Sequence, residues 1–74
     1  MNELLFQVSI IGRDPYWDCF DFIIVVSDTV DNALLVAQDF DDDFRENECK
    51  VEYIGIASSN FKSGDIVCSS YTEG

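Results

Sequence analysis

Six carboxylates crowd into ten consecutive positions of this chain: Asp39, Asp41, Asp42, Asp43, Glu46 and Glu48. Side chains of this type at this density can hold a cation, move protons or present a surface of negative charge. The alternation Asp39-x-Asp41-x-Asp43 invites comparison with a calcium loop, but such a loop needs Gly at its sixth position and Glu at its twelfth. Those positions hold Phe44 and Lys50. Proton transfer fares no better, because carboxylates on an exposed helix face are not in a cleft that shifts their pKa values. The chain contains no His, no Gly-x-Ser-x-Gly and no phosphate-binding Gly loop, so nucleophilic and phosphoryl chemistry lack their usual parts. The expectation is a protein that is not an enzyme and carries no metal or cofactor.

Surface charge remains. On a helix, Asp39/Asp42, Asp39/Asp43, Asp42/Glu46 and Asp43/Glu46 are like-charge neighbours at i+3 or i+4, each unfavourable by roughly 0.2–0.5 kcal/mol. Asp41/Arg45 is the one compensating pair. Solubility is obtained more cheaply by spreading charge, so the clustering points to a partner. If helical throughout, the cluster spans about 15 Å. That is about one charge per 2.5 Å, close to the ~1.7 Å per charge along duplex DNA. The spacing is that of an imitation phosphate backbone.

The element that positions this cluster is a helix over Thr29–Glu48. Val30, Ala33, Ala37, Phe40 and Phe44 recur at spacings of three and four and form a face to be buried. Asp31, Leu35, Asp39, Asp42 and Glu46 lie on the other side, where a leucine ringed by carboxylates can serve as the dry centre of an interface. Thr29 is the expected N-cap, placing Asp31 in the first turn, where the helix dipole favours an anion. The helix should weaken after about Phe44, since Asp is a poor helix former and Asn47 suits a C-terminal turn.

Before it, Leu4–Ile11 and Cys19–Val26 read as two strands of a hairpin across Gly12–Asp18, with Pro15 in the turn. Tyr16 and Trp17 in that loop either fold over the end of the core or stand out as interface anchors. After the helix, Cys49–Ala57 and Asp65–Tyr71 read as strands. The apolar positions of the first of these change phase near Gly55, where a bulge fits.

The order ββαββ defines an α+β two-layer domain, a four-stranded antiparallel sheet with one helix packed on one face. A strand order of 2-1-3-4 makes every neighbouring pair antiparallel. The core is then Phe6, Val8, Ile10, Phe20, Phe22, Ile24, Val26, Val30, Ala33, Ala37, Phe40, Phe44, Val51, Tyr53 and Ile66. Leu5, Ile11, Ile23, Val25, Ile54, Ile56 and Val67 point away from the helix. A face so apolar exceeds what a monomer usually exposes. It invites homodimerisation through the sheet face or a protein partner, with Ile23 and Val25 beside Tyr16 and Trp17 as a second interface.

Composition bounds the rest. Seventy-four residues make a single domain, residues 1–74, near the lower size for a self-sufficient core, and 47% are hydrophobic. Fifteen Asp and Glu against four Lys and Arg give a net charge of −11. That disfavours direct binding to nucleic acid or anionic membranes and favours a cationic partner. Cys19, Cys49 and Cys68 are odd in number and include no C-x-x-C, and no apolar run is long enough to span a membrane. Without a basic N-terminal leader, the expected location is a reducing cytoplasm.

A tiny, strongly acidic ββαββ domain with this Asp39–Glu48 charge pattern resembles the phage-encoded anti-CRISPR proteins and other DNA-mimic inhibitors. The resemblance implies a partner with a basic nucleic-acid-binding groove, a CRISPR effector, whose access to DNA or guide is blocked in the host cytoplasm. An immunity protein or antitoxin that neutralises a basic nuclease toxin would use the same electrostatics. A non-catalytic assembly module using the apolar sheet face is a third reading.

Overall fold

The computed structural model describes residues 3–11 and 19–72. They form β1 (Leu4–Ile10), β2 (Cys19–Ser27), α1 (Val30–Phe40), a single-turn α2 (Asp43–Glu46), β3 (Cys49–Ile56) and β4 (Ile66–Thr72). The four strands make one antiparallel sheet in the order β3-β1-β2-β4. The fold is α+β, as the element order implies. The β1–β2 and β1–β3 pairings are those expected, whereas β4 joins β2 instead of β3. A tight hairpin between β3 and β4 would need a loop of about two to five residues, and the segment between them is longer. It runs over one end of the sheet: the Ala57 N–H donates to the Glu3 carbonyl at 2.8 Å and the Gly64 N–H to the Val26 carbonyl at 2.7 Å. Gly64 turns there with φ 98°, a conformation that suits glycine. The chain thus delivers β4 to the free edge of β2.

Register decides which side chains meet the helix. Phe6 lies opposite Val25 and Tyr53, and Val8 opposite Ile23 and Val51. Directly opposed residues share a face, so Ile23 and Val25 stand beneath α1, and both are fully buried. Phe22 and Ile24 take the other face, half-buried. This reverses the expected phase of β2. Phe22-Ile23-Ile24-Val25-Val26 is apolar at every position, so alternation within β2 carries no phase information, and a one-residue shift exchanges the faces. Ile23 and Val25 therefore belong to the core and form no second interface.

Phe6, Val8, Ile10, Ile23, Val25, Ala33, Ala37 and Phe44 make up the core, with Leu4, Leu34, Val36, Cys49, Val51 and Ile66 packed partly against it. Val30 and Phe40, expected inside, are exposed. They share the azimuth of Ala33 and Ala37 but are the first and last residues of α1, where neighbours stand on one side only. Tyr53 is likewise exposed, its ring edge-on to Phe6 at 5.9 Å. The bulge expected near Gly55 is present: Leu5 opposes Gly55 and Phe6 opposes Tyr53, leaving Ile54 unpaired. Ile56 opposes Leu4, which places it on the helix side of the sheet.

The opposite face is more mixed than expected. Leu5, Ile24, Phe22 and Val26 alternate there with Gln7, Ser9, Lys50, Glu52 and Ser70. Val26 is fully buried where the 57–65 connection crosses. The register makes a direct prediction for stability. Ile23→Val should lower the unfolding free energy in urea by about 0.5–1.5 kcal/mol, while Ile24→Val, half-buried on the other face, should change it far less. Equal losses would contradict the face assignment.

Candidate acidic interaction surface

The helix that carries the carboxylates is fixed at its start by a run of polar residues. The Thr29 hydroxyl accepts from the Asn32 N–H at 3.1 Å, and the buried Ser27 hydroxyl donates to the Thr29 carbonyl at 3.0 Å. Thr29 is therefore the N-cap, as its position before Val30 suggests. Asp28 accepts from the Asn32 side chain at 2.8 Å, a bond that holds its carboxyl below the ordinary carboxylate range. Asp31 follows in the first turn.

Asp31, Leu35 and Asp39 then descend one side of α1 at intervals of four residues, all three exposed. The helix does not run on to Glu48. Asp41 adopts an extended conformation, φ −157° and ψ 143°, and α1 ends there. Its side chain explains the break, because the carboxylate accepts from the Asp43 N–H at 2.9 Å. A short acidic side chain that bonds to the backbone two residues on offers the chain a turn in place of a further helical residue. Asp42 opens α2, accepting from the N–H groups of Arg45 and Glu46, both at 2.9 Å. Asn47 closes it by donating to the Asp43 carbonyl at 2.8 Å.

The break corrects the geometry of the charge row. Six carboxylates do not line one 15 Å helix face. They divide between the flank of α1 and the α1–α2 corner. Asp39, Asp42, Glu46 and Glu48 are exposed, and Asp41 and Asp43 are half-buried. Arg45 is the single cation between residues 30 and 48. It approaches Asp39 at 3.7 Å and donates to the Gln38 carbonyl at 3.5 Å, so the expected Asp41/Arg45 pair gives way to Asp39/Arg45. Asp39 is exposed in that pair, and such contacts contribute little.

Beside Asp39, a shallow open groove of about 310 Å³ is lined by Val36, Asp39, Phe40, Gly64 and Ile66. The periodicity of the sequence places Phe40 in the core, whereas here it borders the groove and is exposed. The signal against that assignment is Asp41, which stops the helix one residue later. Tyr16 and Trp17 lie outside the described residues.

Cys49 is half-buried, its thiol pushed up by burial, and Cys68 is exposed. Among the described residues no group of three or more His, Cys, Asp or Glu is placed to hold a metal ion. No helix among them is long and apolar enough to cross a membrane. Comparison with protein-family models, curated proteins and solved structures finds no match.

The two kinds of carboxylate should separate on substitution. Asp41→Ala removes the acceptor that starts α2 and should lower stability by about 0.5–2 kcal/mol. Asp42→Asn or Glu46→Gln, exposed and far from the core, should stay within about 0.5 kcal/mol of the parent. Urea denaturation of the three variants reads the difference. Equal effects would contradict a structural role for Asp41.

Proposed function

We propose that this chain is a small acidic inhibitor that binds the basic nucleic-acid-binding surface of a target protein, setting carboxylates where the target would hold phosphates. The observation that carries the reading is the exposed set Asp31, Asp39, Asp42, Glu46 and Glu48, spread over α1, α2 and the residues that flank α2, with Arg45 as the only cation between residues 30 and 48. The exposed Leu35 lies between Asp31 and Asp39 on the same flank, where a dry contact can be ringed by charge. Asp41 and Asp43, each half-buried, set the shape of the corner. By its resemblance to the anti-CRISPR proteins, the target is a CRISPR effector and the effect is loss of access for DNA or guide.

The mechanism is electrostatic. A net charge of −11 draws a basic groove into encounter and competes with phosphate for the same lysines and arginines. The broken helix makes the imitation approximate: two short acidic segments meet at a corner, unlike the even row of a duplex strand.

The test is Asp39→Asn, Asp42→Asn and Glu46→Gln made together. These exposed positions should leave the melting temperature unchanged or slightly raised, since like-charge neighbours are removed. Association with a purified CRISPR effector, measured at low salt, should fall by about ten- to a thousandfold, with inhibition of DNA cleavage lost in parallel. A folded triple variant that still inhibits fully would refute the proposal.

A further inference from the structure

The first five residues of β3, Cys49 to Tyr53, pair with β1 without a register shift, and the bulge comes only at Ile54. On the other side of β3 no strand is paired among the described residues. This is an open edge, and it leads into the most exposed large apolar side chains of the sheet among the described residues: Tyr53 at 55%, Ile54 at 42% and Ile56 at 58%. Natural proteins usually blunt such an edge with charge, proline or a covering segment. Here the blunting charge is Lys50, and Glu52 stands two residues on, on the same face, its carboxylate 3.1 Å from the Lys50 ammonium.

A lysine and a glutamate flanking one residue on one face of a strand are self-complementary. If two copies of the strand run antiparallel about a two-fold axis through Val51, Lys50 of each lies opposite Glu52 of the other. We propose that β3 pairs with β3 of a second copy of this chain in that register, joining two four-stranded sheets into one of eight strands.

Charge selects this occupant. The molecule carries −11 overall, yet β3 is neutral, with one Lys and one Glu between Cys49 and Ile56. In this register Glu48 of one copy opposes Ile54 of the other. The two Glu48 side chains therefore stand six residues, roughly 20 Å, apart along the ribbon, beyond the ~8 Å screening length at physiological salt. The remaining open edge, β4, has no charged residue between Ile66 and Thr72 and hence no such code. Pairing β3 with β4 would also leave free edges and build an open polymer, whereas β3 with β3 closes. Tyr53 of each copy then lies opposite the half-buried Cys49 of the other, on the helix side of the joined sheet. Of the acidic surface only Glu48 borders this interface, and the pairing does not rest on the proposed inhibitor reading.

Sedimentation equilibrium of the full chain up to about 1 mM tests it, at low and at moderate salt. Wild type should fit a monomer–dimer equilibrium. Glu52→Lys changes the net charge from −11 to −9, which by general repulsion alone should strengthen association. In the proposed register it sets Lys against Lys twice, so the dimer should weaken about tenfold or more. The exchange Lys50→Glu with Glu52→Lys restores complementarity at −11 and should restore the dimer. Both side chains are exposed, and circular dichroism confirms that each variant is folded. A wild type that stays monomeric throughout, a dimer indifferent to Glu52→Lys, or growth into polymers would each overturn the proposal.

Discussion

The close approach of α1 to β1 and β2 through Ala33 and Ala37 is the contact on which the rest of the structure depends. Both alanines are fully buried above the rows Phe6–Val25 and Val8–Ile23. Two small side chains on one helical face let the backbone come near the sheet, so that the large residues below can fill the space. Ile10 and Phe44 complete that layer. Once Ile23 and Val25 are committed to it, Phe22 and Ile24 must take the far face, and the 57–65 connection covers the end at Val26. Phe44 reaches the core only after the chain has turned at Asp41. The break that spoils a continuous row of charge therefore also seats the largest fully buried side chain among the described residues.

The parts of this arrangement that depend on local chemistry were legible in the sequence. Thr29 as cap, the strands around Phe6 and Phe22, the bulge beside Gly55 and the α+β class follow from propensity, capping and turn residues acting on near neighbours. The failures share a different cause. The phase of β2 is set by its register with β1, because five successive apolar residues leave alternation silent. The place of β4 is set by a loop long enough to cross the sheet end, which strand pattern does not report. Val30 and Phe40 have the right azimuth for burial but are the first and last residues of α1, which ends at Phe40 because Asp41 is extended. Of the candidate site, the exposure of Asp31, Leu35, Asp39, Asp42 and Glu46 could be read from periodicity, whereas Glu48 shares the azimuth of Val30 and is exposed because the helix has ended before it. The separate role of Asp41 could not, since a capping carboxylate and a solvated one look alike in a run of aspartates.

That distinction bears on why the acidic segment tolerates its own repulsion. Asp41 is engaged with the backbone, Asp28 is held ionised by Asn32, and Asp39 has Arg45 in partial compensation. Asp42, Glu46 and Glu48 are exposed, where water screens them. The fold thus bears the charge without depending on most of it, which leaves those carboxylates available for a cationic partner. With a core of this size the net stability is small, and a partner that binds only the folded state adds to it by mass action.

Competition tests the central claim most directly. A fluorescent DNA duplex bound to its purified CRISPR effector is titrated with the folded chain, and complexes are resolved by native electrophoresis and anisotropy. Mutual exclusion is the expected result: DNA is displaced as the acidic protein binds, and the concentration needed rises in proportion to the DNA present. A stable ternary complex holding DNA and the chain on one effector molecule would contradict phosphate mimicry.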